Sequence, residues 1–310
     1  MDPLLIVVAV GIGVVVGLTG MGGGALMTPA LVLGFGIPPL TAVSSDIVAS
    51  VFMKPVGSWV HIRRGTVNWQ LVRLLVYGSV PAAFLGVLAA KALGDPENIQ
   101  HAIKTALGVV LILAAAGLLT RLYMRLKEHA ATRDGTAPPL PQERPDVTPR
   151  PIPTILVGVA GGLIVGLTSV GSGSLMIIAL MLLYPMLKAS QLVGTDLVQA
   201  VPLVLAAAAA HLMFGDVDWT VTLPIIIGSI PGAYLGARLS THIAGGIVRR
   251  VLALVLVAAG LKMLGASNEA TVWAVATMLV LLTVVWGLLR RRFGYPFFGG
   301  GRDADPEYQI

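Results

Sequence analysis

An apolar chain that glycine interrupts in the same way at two places is tightly constrained in what it can fold into. Residues 17–27 read Gly17-Leu18-Thr19-Gly20-Met21-Gly22-Gly23-Gly24-Ala25-Leu26-Met27. Residues 166–176 read Gly166-Leu167-Thr168-Ser169-Val170-Gly171-Ser172-Gly173-Ser174-Leu175-Met176, a displacement of 149. Backbone broken at membrane depth survives only where protein buries it or where it lines a cavity. Paired breaks in matching positions of two halves are the sequence pointer to a transporter's binding site. Composition agrees with a membrane setting. Of 310 residues, 56% are hydrophobic and 12% charged, about half the charge of a soluble domain. Several runs reach the roughly 20 apolar residues that a helix needs to cross a bilayer. They are continuous rather than alternating, which argues against a β-barrel. The start, Met1-Asp2-Pro3, lacks the positive region of a signal peptide.

In chain order, residues 4–16 and 26–35 flank the first break, and each is short for a span. They read as the two arms of a re-entrant helical hairpin or as one long broken helix, and paired full crossings would give the same sidedness. Full spans are expected over 41–60, 69–90 and 105–122, with 91–104 as a mixed-charge connection. Residues 155–165 and 175–187 flank the second break, followed by spans over 192–214, 219–239, 247–264 and 272–289. The expected fold is therefore an all-α polytopic membrane protein of two repeats. The first covers 1–126 and the second, with an extra C-terminal helix, 154–292. A proline-rich cytoplasmic linker over 127–153 separates them, and residues 293–310 form a tail. Linkers of this composition are mobile and solvated.

The repeat is detailed. Asp46 matches Asp196, His61 matches His211, Gly65 matches Gly215 and Trp69 matches Trp219, all 150 apart. Gly78-Ser79-Val80-Pro81 matches Gly228-Ser229-Ile230-Pro231, and Gly86 matches Gly236. Lys and Arg accumulate in cytoplasmic loops. Arg63 and Arg64 place the loop after the first aspartate span inside. The matching loop, Phe214-Gly215-Asp216-Val217-Asp218, has no positive charge and goes outside. Corresponding loops on opposite sides mean inverted repeats. With the linker and Arg290, Arg291 and Arg292 inside, the count gives seven full spans, two re-entrant hairpins, an outside N-terminus and an inside C-terminus.

The breaks supply the candidate anion site. A helix N-terminus offers free N–H groups and partial positive charge. Gly20, Gly22, Gly23, Gly24, Gly171 and Gly173 let the backbone approach a solute, and Thr19, Thr168, Ser169, Ser172 and Ser174 add hydroxyls. The Gly13/Gly17 and Gly162/Gly166 pairs read as close helix packing instead. Asp46 and Asp196, each inside a span, are candidates for coupling or site support, with Ser45, Thr195 and Gln199 beside them. The competing reading is that each aspartate caps its helix start. Lys54, whose repeat mate is Val204, attracts the anion, pairs with Asp46, or snorkels to the cytoplasmic surface. His61 and His211 read as interfacial, as do Trp59, Trp69, Trp219 and Tyr77. Pro81 and Pro231 read as kinks facing the site. With no cysteine in the chain and only these two histidines in matching positions, neither a metal site nor a cofactor is expected.

The segments Gly13-x-x-x-Gly17-Leu18-Thr19-Gly20-x-Gly22-Gly23-Gly24 and Gly162-x-x-x-Gly166-Leu167-Thr168-Ser169-x-Gly171-Ser172-Gly173 resemble the two signatures of the TauE/SafE family of sulfite and organosulfur-anion exporters. The resemblance covers nearly the whole chain apart from the linker and the tail. It implies an inner-membrane secondary transporter of sulfite, thiosulfate or small sulfonates. The expected partners are that small sulfur-containing anion, H+ or Na+ as coupling ion, the lipid bilayer and a second copy of the chain, with no nucleic acid. A passive anion channel shares the site physics and is the alternative. A membrane-embedded lipid-phosphate enzyme fits less well, because the breaks hold neither acid nor Arg. No Walker motif is present, which argues against ATP coupling by this chain.

Overall fold

The computed structural model describes residues 2–19, 22–92, 94–134, 147–173, 175–187, 189–239 and 245–295. Among them the chain is all helical, with no strand. The helices are α1 (Pro3–Thr19), α2 (Gly24–Pro29), α3 (Pro39–Arg63), α4 (Trp69–Lys91), α5 (Pro96–Arg133), α6 (Pro151–Thr168), α7 (Leu175–Leu183), α8 (Ala189–Phe214), α9 (Trp219–Leu239), α10 (Gly245–Met263) and α11 (Asn268–Arg292). Each glycine-rich segment separates two helices, α1 from α2 and α6 from α7. A π-helical turn, Ala30–Gly34, prolongs α2 directly after Pro29. A proline ring lacks the N–H that an α-helical ladder needs.

By length and composition, α4, α6, α8, α9, α11 and the stretch Pro96–Met124 of α5 can cross a membrane. The chain is thus a multi-pass helical membrane protein. The expectation differs in three places. α6 is apolar and long enough to span, although its residues were expected as one arm of a hairpin. α3 is not among the six, because it carries Ser44, Ser45, Asp46, Ser50, Lys54 and Ser58. Its 25 residues still extend about 37 Å at 1.5 Å per residue. α10 is not among them either, and it carries Arg249, Arg250 and Lys262.

α5 is longer than expected at both ends. Asp95 accepts the N–H of Glu97 at 3.0 Å and Pro96 opens the helix, so most of the expected 91–104 connection is helical. The helix also runs through 127–133, into the expected linker. Of that linker, 135–146 lies outside the described residues, as does the tail from residue 296.

The two halves interlock. The most extensive helix contacts are α1 with α9 and α4 with α6, which are the same pair under the repeat. Glycine makes both possible. A Cβ on Gly13 would lie 2.6 Å from the Ser229 carbonyl oxygen, and one on Gly162 would collide with that of Ser79. Gly78 and Gly228 face the carbonyls of Ile155 and Ile6 in the same matched way. Gly166 faces Ala83. Packing is thus the role of Gly13, Gly162 and Gly166, as the sequence suggested.

Contacts also give directions. Ile6, Val10 and Val14 of α1 follow Gly228, Gly232 and Gly236 of α9, so these helices are parallel. α3 and α8 are antiparallel: Ser44 meets His211 at 2.8 Å, Ser58 meets the Leu197 carbonyl at 2.8 Å, and His61 faces Gly194. α5 and α10 are antiparallel through Gly108, Gly260 and Leu264. At one end of the bundle Ser45 bonds the backbone of Asp218, which caps α9 through Thr220. Those Thr220 bonds hold the Asp218 carboxyl below the usual range. At the other end Thr195 accepts the N–H of Asn68, which caps α4. Thus α1, α3 and α9 start together, and α4, α6 and α8 start at the opposite end.

The main apolar core gathers Ile47 of α3, Leu107 and Leu111 of α5, Val165 of α6, Leu203 of α8 and Leu256 of α10. Trp59, Trp69, Trp219 and Tyr77 are exposed, as suits interfacial aromatics. Pro81 and Pro231 are exposed too, so they face outward rather than toward the site.

Gly162→Val forces α4 and α6 apart, and overpacking of this kind costs about 1–3 kcal/mol. It is expected to lower the Tm of the detergent-solubilised protein. Gly11→Ala, whose Cβ meets nothing within 4 Å, is expected to leave Tm unchanged or raise it.

Candidate functional site

The two breaks meet. A Cβ on Gly22 would lie 3.0 Å from the Ser172 carbonyl oxygen, and one on Gly24 would lie 2.8 Å from the Ser169 hydroxyl oxygen and closer still to its carbonyl. Glycine at these positions lets one broken backbone rest on the other. Gly23 is less crowded, with Met53 3.7 Å away. The second break is sharply turned: Ser169 has φ 59°, Gly171 139° and Gly173 93°. Only glycine adopts the last two freely. Gly20 and Ser174 lie outside the described residues.

Lys54 stands at this junction. It is 8% exposed, its Nζ donates to the Ser172 hydroxyl, and a Cβ on Gly22 would be 3.9 Å from it. The side chain is therefore buried between the breaks and does not snorkel. Its position follows from register. The pairings of Ser44 with His211 and Ser58 with Leu197 put Lys54 level with residue 201 of α8. Val204, its repeat mate, lies about one helical turn away. Lys54 thus lies near mid-length of the antiparallel α3 and α8.

The aspartates are not caps. α3 starts at Pro39 and α8 at Ala189, so each lies two turns into its helix and is buried. Their surroundings differ. Asp46 Oδ2 accepts from Thr28 at 2.9 Å and from Ser169 at 2.7 Å. It ties α2 of its own half to the break of the other. Asp196 Oδ1 accepts from Gln199 Nε2 at 3.1 Å, while Oδ2 has no hydrogen-bond partner among the described residues. The residues matching Thr28 and Ser169 are Ile177 and Gly20, which carry no hydroxyl. Gln199 also reaches Met176 Sδ at 2.8 Å and accepts from Ser79 at 3.2 Å.

Other candidates lie elsewhere. Thr168 donates to Ile164 at 2.6 Å and accepts the Val170 N–H, closing its own helix end. Thr19 turns back to Val15 at 2.8 Å. Ser45 and Thr195 serve the turns before α9 and α4 rather than the breaks. His211 is not interfacial. It is 2% exposed, with Nδ1 on Ser44 and Nε2 on the Gly166 carbonyl, both at 2.8 Å. His61 is less buried and bonds Thr66 at 2.9 Å.

Thr28, Ser79 and His211 belong to this network without standing out in the sequence as site residues. Their one signal is a polar side chain inside an apolar run. No group of three or more acidic or histidine side chains that could hold a metal occurs among the described residues.

Removing the Asp46 carboxylate leaves two buried hydroxyls without their acceptor, at about 1–3 kcal/mol per group. Asp46→Ala is expected to lower Tm in detergent. The Thr28→Ala/Asp46→Ala double variant is expected to lose less than the sum of the two single losses.

Comparison with known proteins agrees with this architecture. Residues 5–263 match the sulfite exporter TauE/SafE family. The chain is 39% identical over 267 residues to the probable membrane transporter protein YjnA of Bacillus subtilis (strain 168), covering 85% of this chain and 100% of that protein. It is 24% identical over 261 residues to YdhB of the same organism, also a probable membrane transporter protein, covering 84% and 99%. A probable membrane transporter protein of Xylella fastidiosa (strain 9a5c) is 24% identical over 250 residues, 80% of this chain and 88% of that one. No solved structure matches the chain. With the family matched from α1 to the end of α10, this multi-pass protein belongs to the sulfite exporter TauE/SafE family of membrane transporters.

Proposed function

We propose that the protein is a secondary transporter of small sulfur-containing anions such as sulfite, thiosulfate or sulfonates, exporting them across the inner membrane. The anion sits where the two breaks meet, held by backbone N–H groups of Gly22 and Gly23 and by Ser172 and Lys54. The observation that carries this reading is the buried Lys54 ammonium between the breaks. A buried ammonium with donors left over is costly even where the charges of Asp196 and Asp46 face it. An ammonium has three donors, and Ser172 takes one. An oxyanion is the complementary guest. The family's description as sulfite exporters supports the substrate class.

In this reading the halves are inverted repeats that rock against one another. The antiparallel pairing of the equivalent helices α3 and α8 supports this. Two repeat mates that run in opposite directions are related by an axis perpendicular to them, which lies in the membrane plane. The hairpins make no net crossing, since α1 and α3 start at one end of the bundle and α6 and α8 at the other.

Charge supports the sidedness. Arg63, Arg64 and Arg150 fall at the end where α4, α6 and α8 start, while Asp216 and Asp218 fall at the opposite end. The arginine end is cytoplasmic by the positive-inside rule.

Two tests follow. The chain has no cysteine, so single cysteines report sidedness cleanly. Asp95→Cys is expected to react with an impermeant maleimide in intact cells, and Arg150→Cys only after permeabilisation; the reverse pattern overturns the orientation. Purified protein is expected to gain thermal stability with one of sulfite, thiosulfate or sulfoacetate, and not with acetate or phosphate. A ligand at about 100 times its Kd contributes about 2.7 kcal/mol. Lys54→Met and Ser172→Leu are expected to abolish that gain. A response to carboxylates in place of sulfur anions sinks the substrate class.

A further inference from the structure

Two aspartates that the repeat makes equivalent have different surroundings, and the difference points to a division of labour. Asp46 is already satisfied: both Thr28 and Ser169 donate to its Oδ2. Asp196 is 0% exposed, yet its Oδ2 has no partner among the described residues. A buried, unpaired polar atom is costly and calls for an explanation.

The groups around Asp196 decide what its free oxygen can take. From α3, the charge of Lys54 reaches it; from α5, that of Arg121. On its own helix Gln199 donates to Oδ1. From the second break, the backbone N–H of Gly173 faces it. From α4 and α7, Ser79 and Met176 hold Gln199 in place. This shell consists of donors and positive charge. A sodium ion needs several oxygen ligands, and a shell of donors and positive charge does not supply them. A proton needs only the free lone pair, and taking one up removes a fully buried charge whose second oxygen is unpaired.

We infer that Asp196, and not Asp46, carries the coupling ion, that this ion is a proton bound at Oδ2, and that the proton and the anion bind together. The inference rests on the anion-transport reading and names its coupling chemistry. Lys54 links the two ligands, because its charge faces both aspartates while its Nζ bonds Ser172. With Asp196 ionised, Lys54 is held by carboxylate charge and an incoming anion is repelled. With Asp196 protonated, Lys54 is released to the anion. Oδ2–H then becomes a donor at the same junction. Asp46, tied by two hydroxyls, keeps the breaks together throughout.

The test uses the full-length protein in detergent with thiosulfate, the anion of a strong acid, whose charge is constant between about pH 5 and pH 8. One proton taken up per anion makes thiosulfate affinity fall about tenfold per pH unit on the alkaline side. In Asp196→Asn the affinity is expected to stop changing with pH, and in Asp46→Asn the slope is expected to persist. A wild-type affinity that ignores pH overturns the inference, and so does an Asp196→Asn variant that keeps the slope. Should Asp196→Asn fail to fold, proton uptake by the wild type decides. In weakly buffered solution, thiosulfate is expected to withdraw about one proton per bound anion, and none withdrawn overturns the inference. No binding of thiosulfate, sulfite or sulfoacetate at any pH instead overturns the transport reading beneath it.

Discussion

Everything in this molecule depends on how it buries two stretches of broken backbone. A helix satisfies its own N–H and C=O groups, and a break does not. In a membrane the freed groups have no water to turn to. The chain meets this constraint by laying one break on the other, Gly22 on Ser172 and Gly24 on Ser169. That contact requires the surrounding helices to come together almost without side chains. The glycine faces of α1 against α9 and α4 against α6 provide it. Each pair takes one helix from each half, so neither half can form the junction alone.

The polar residues fall into two sets around that junction. One set holds geometry: Asp46 with Thr28 and Ser169, His211 with Ser44 and Gly166, and the matched caps Asn68 and Asp218 with Thr195 and Ser45. The other set, Lys54, Ser172 and Asp196, retains unused capacity, with Gln199 holding Asp196 Oδ1. Lys54 has donors beyond the one Ser172 accepts, and Asp196 has a free oxygen. Buried polar groups are for the most part paired. Those with capacity left over mark the region available to a solute.

The sequence made the larger features legible because they depend on length and repetition. Apolar runs of span length, the duplicated Gly-Ser-x-Pro segments and the paired breaks are local patterns, and each reappears as a helix or a turn near its expected place. α5 escaped because its polar ends resemble loops until Asp95 and Pro96 are seen to start the helix. The site was legible only in outline. Which aspartate is tied depends on Ser169 reaching across 123 residues. The burial of Lys54 depends on Ser172, 118 residues away. His211 looks like a helix-end residue until the register of α3 against α8 shows Ser44 beside it. Contacts made between halves leave no periodic trace within either one.

The placement of Lys54 bears on how such a protein can be assembled at all. It lies near mid-length of the antiparallel α3 and α8, and the level of its mate, Val204, is about a turn away. Two identical half-length chains joined as a symmetric pair would place either two lysines at this spot or none. Two ammoniums a turn apart in a dry interior repel strongly, and none leaves the junction without a cation. A single central charge is therefore open only to a chain whose halves have been fused and allowed to diverge. Asymmetry at one position, rather than the symmetry of the scaffold, places a cation between the two breaks.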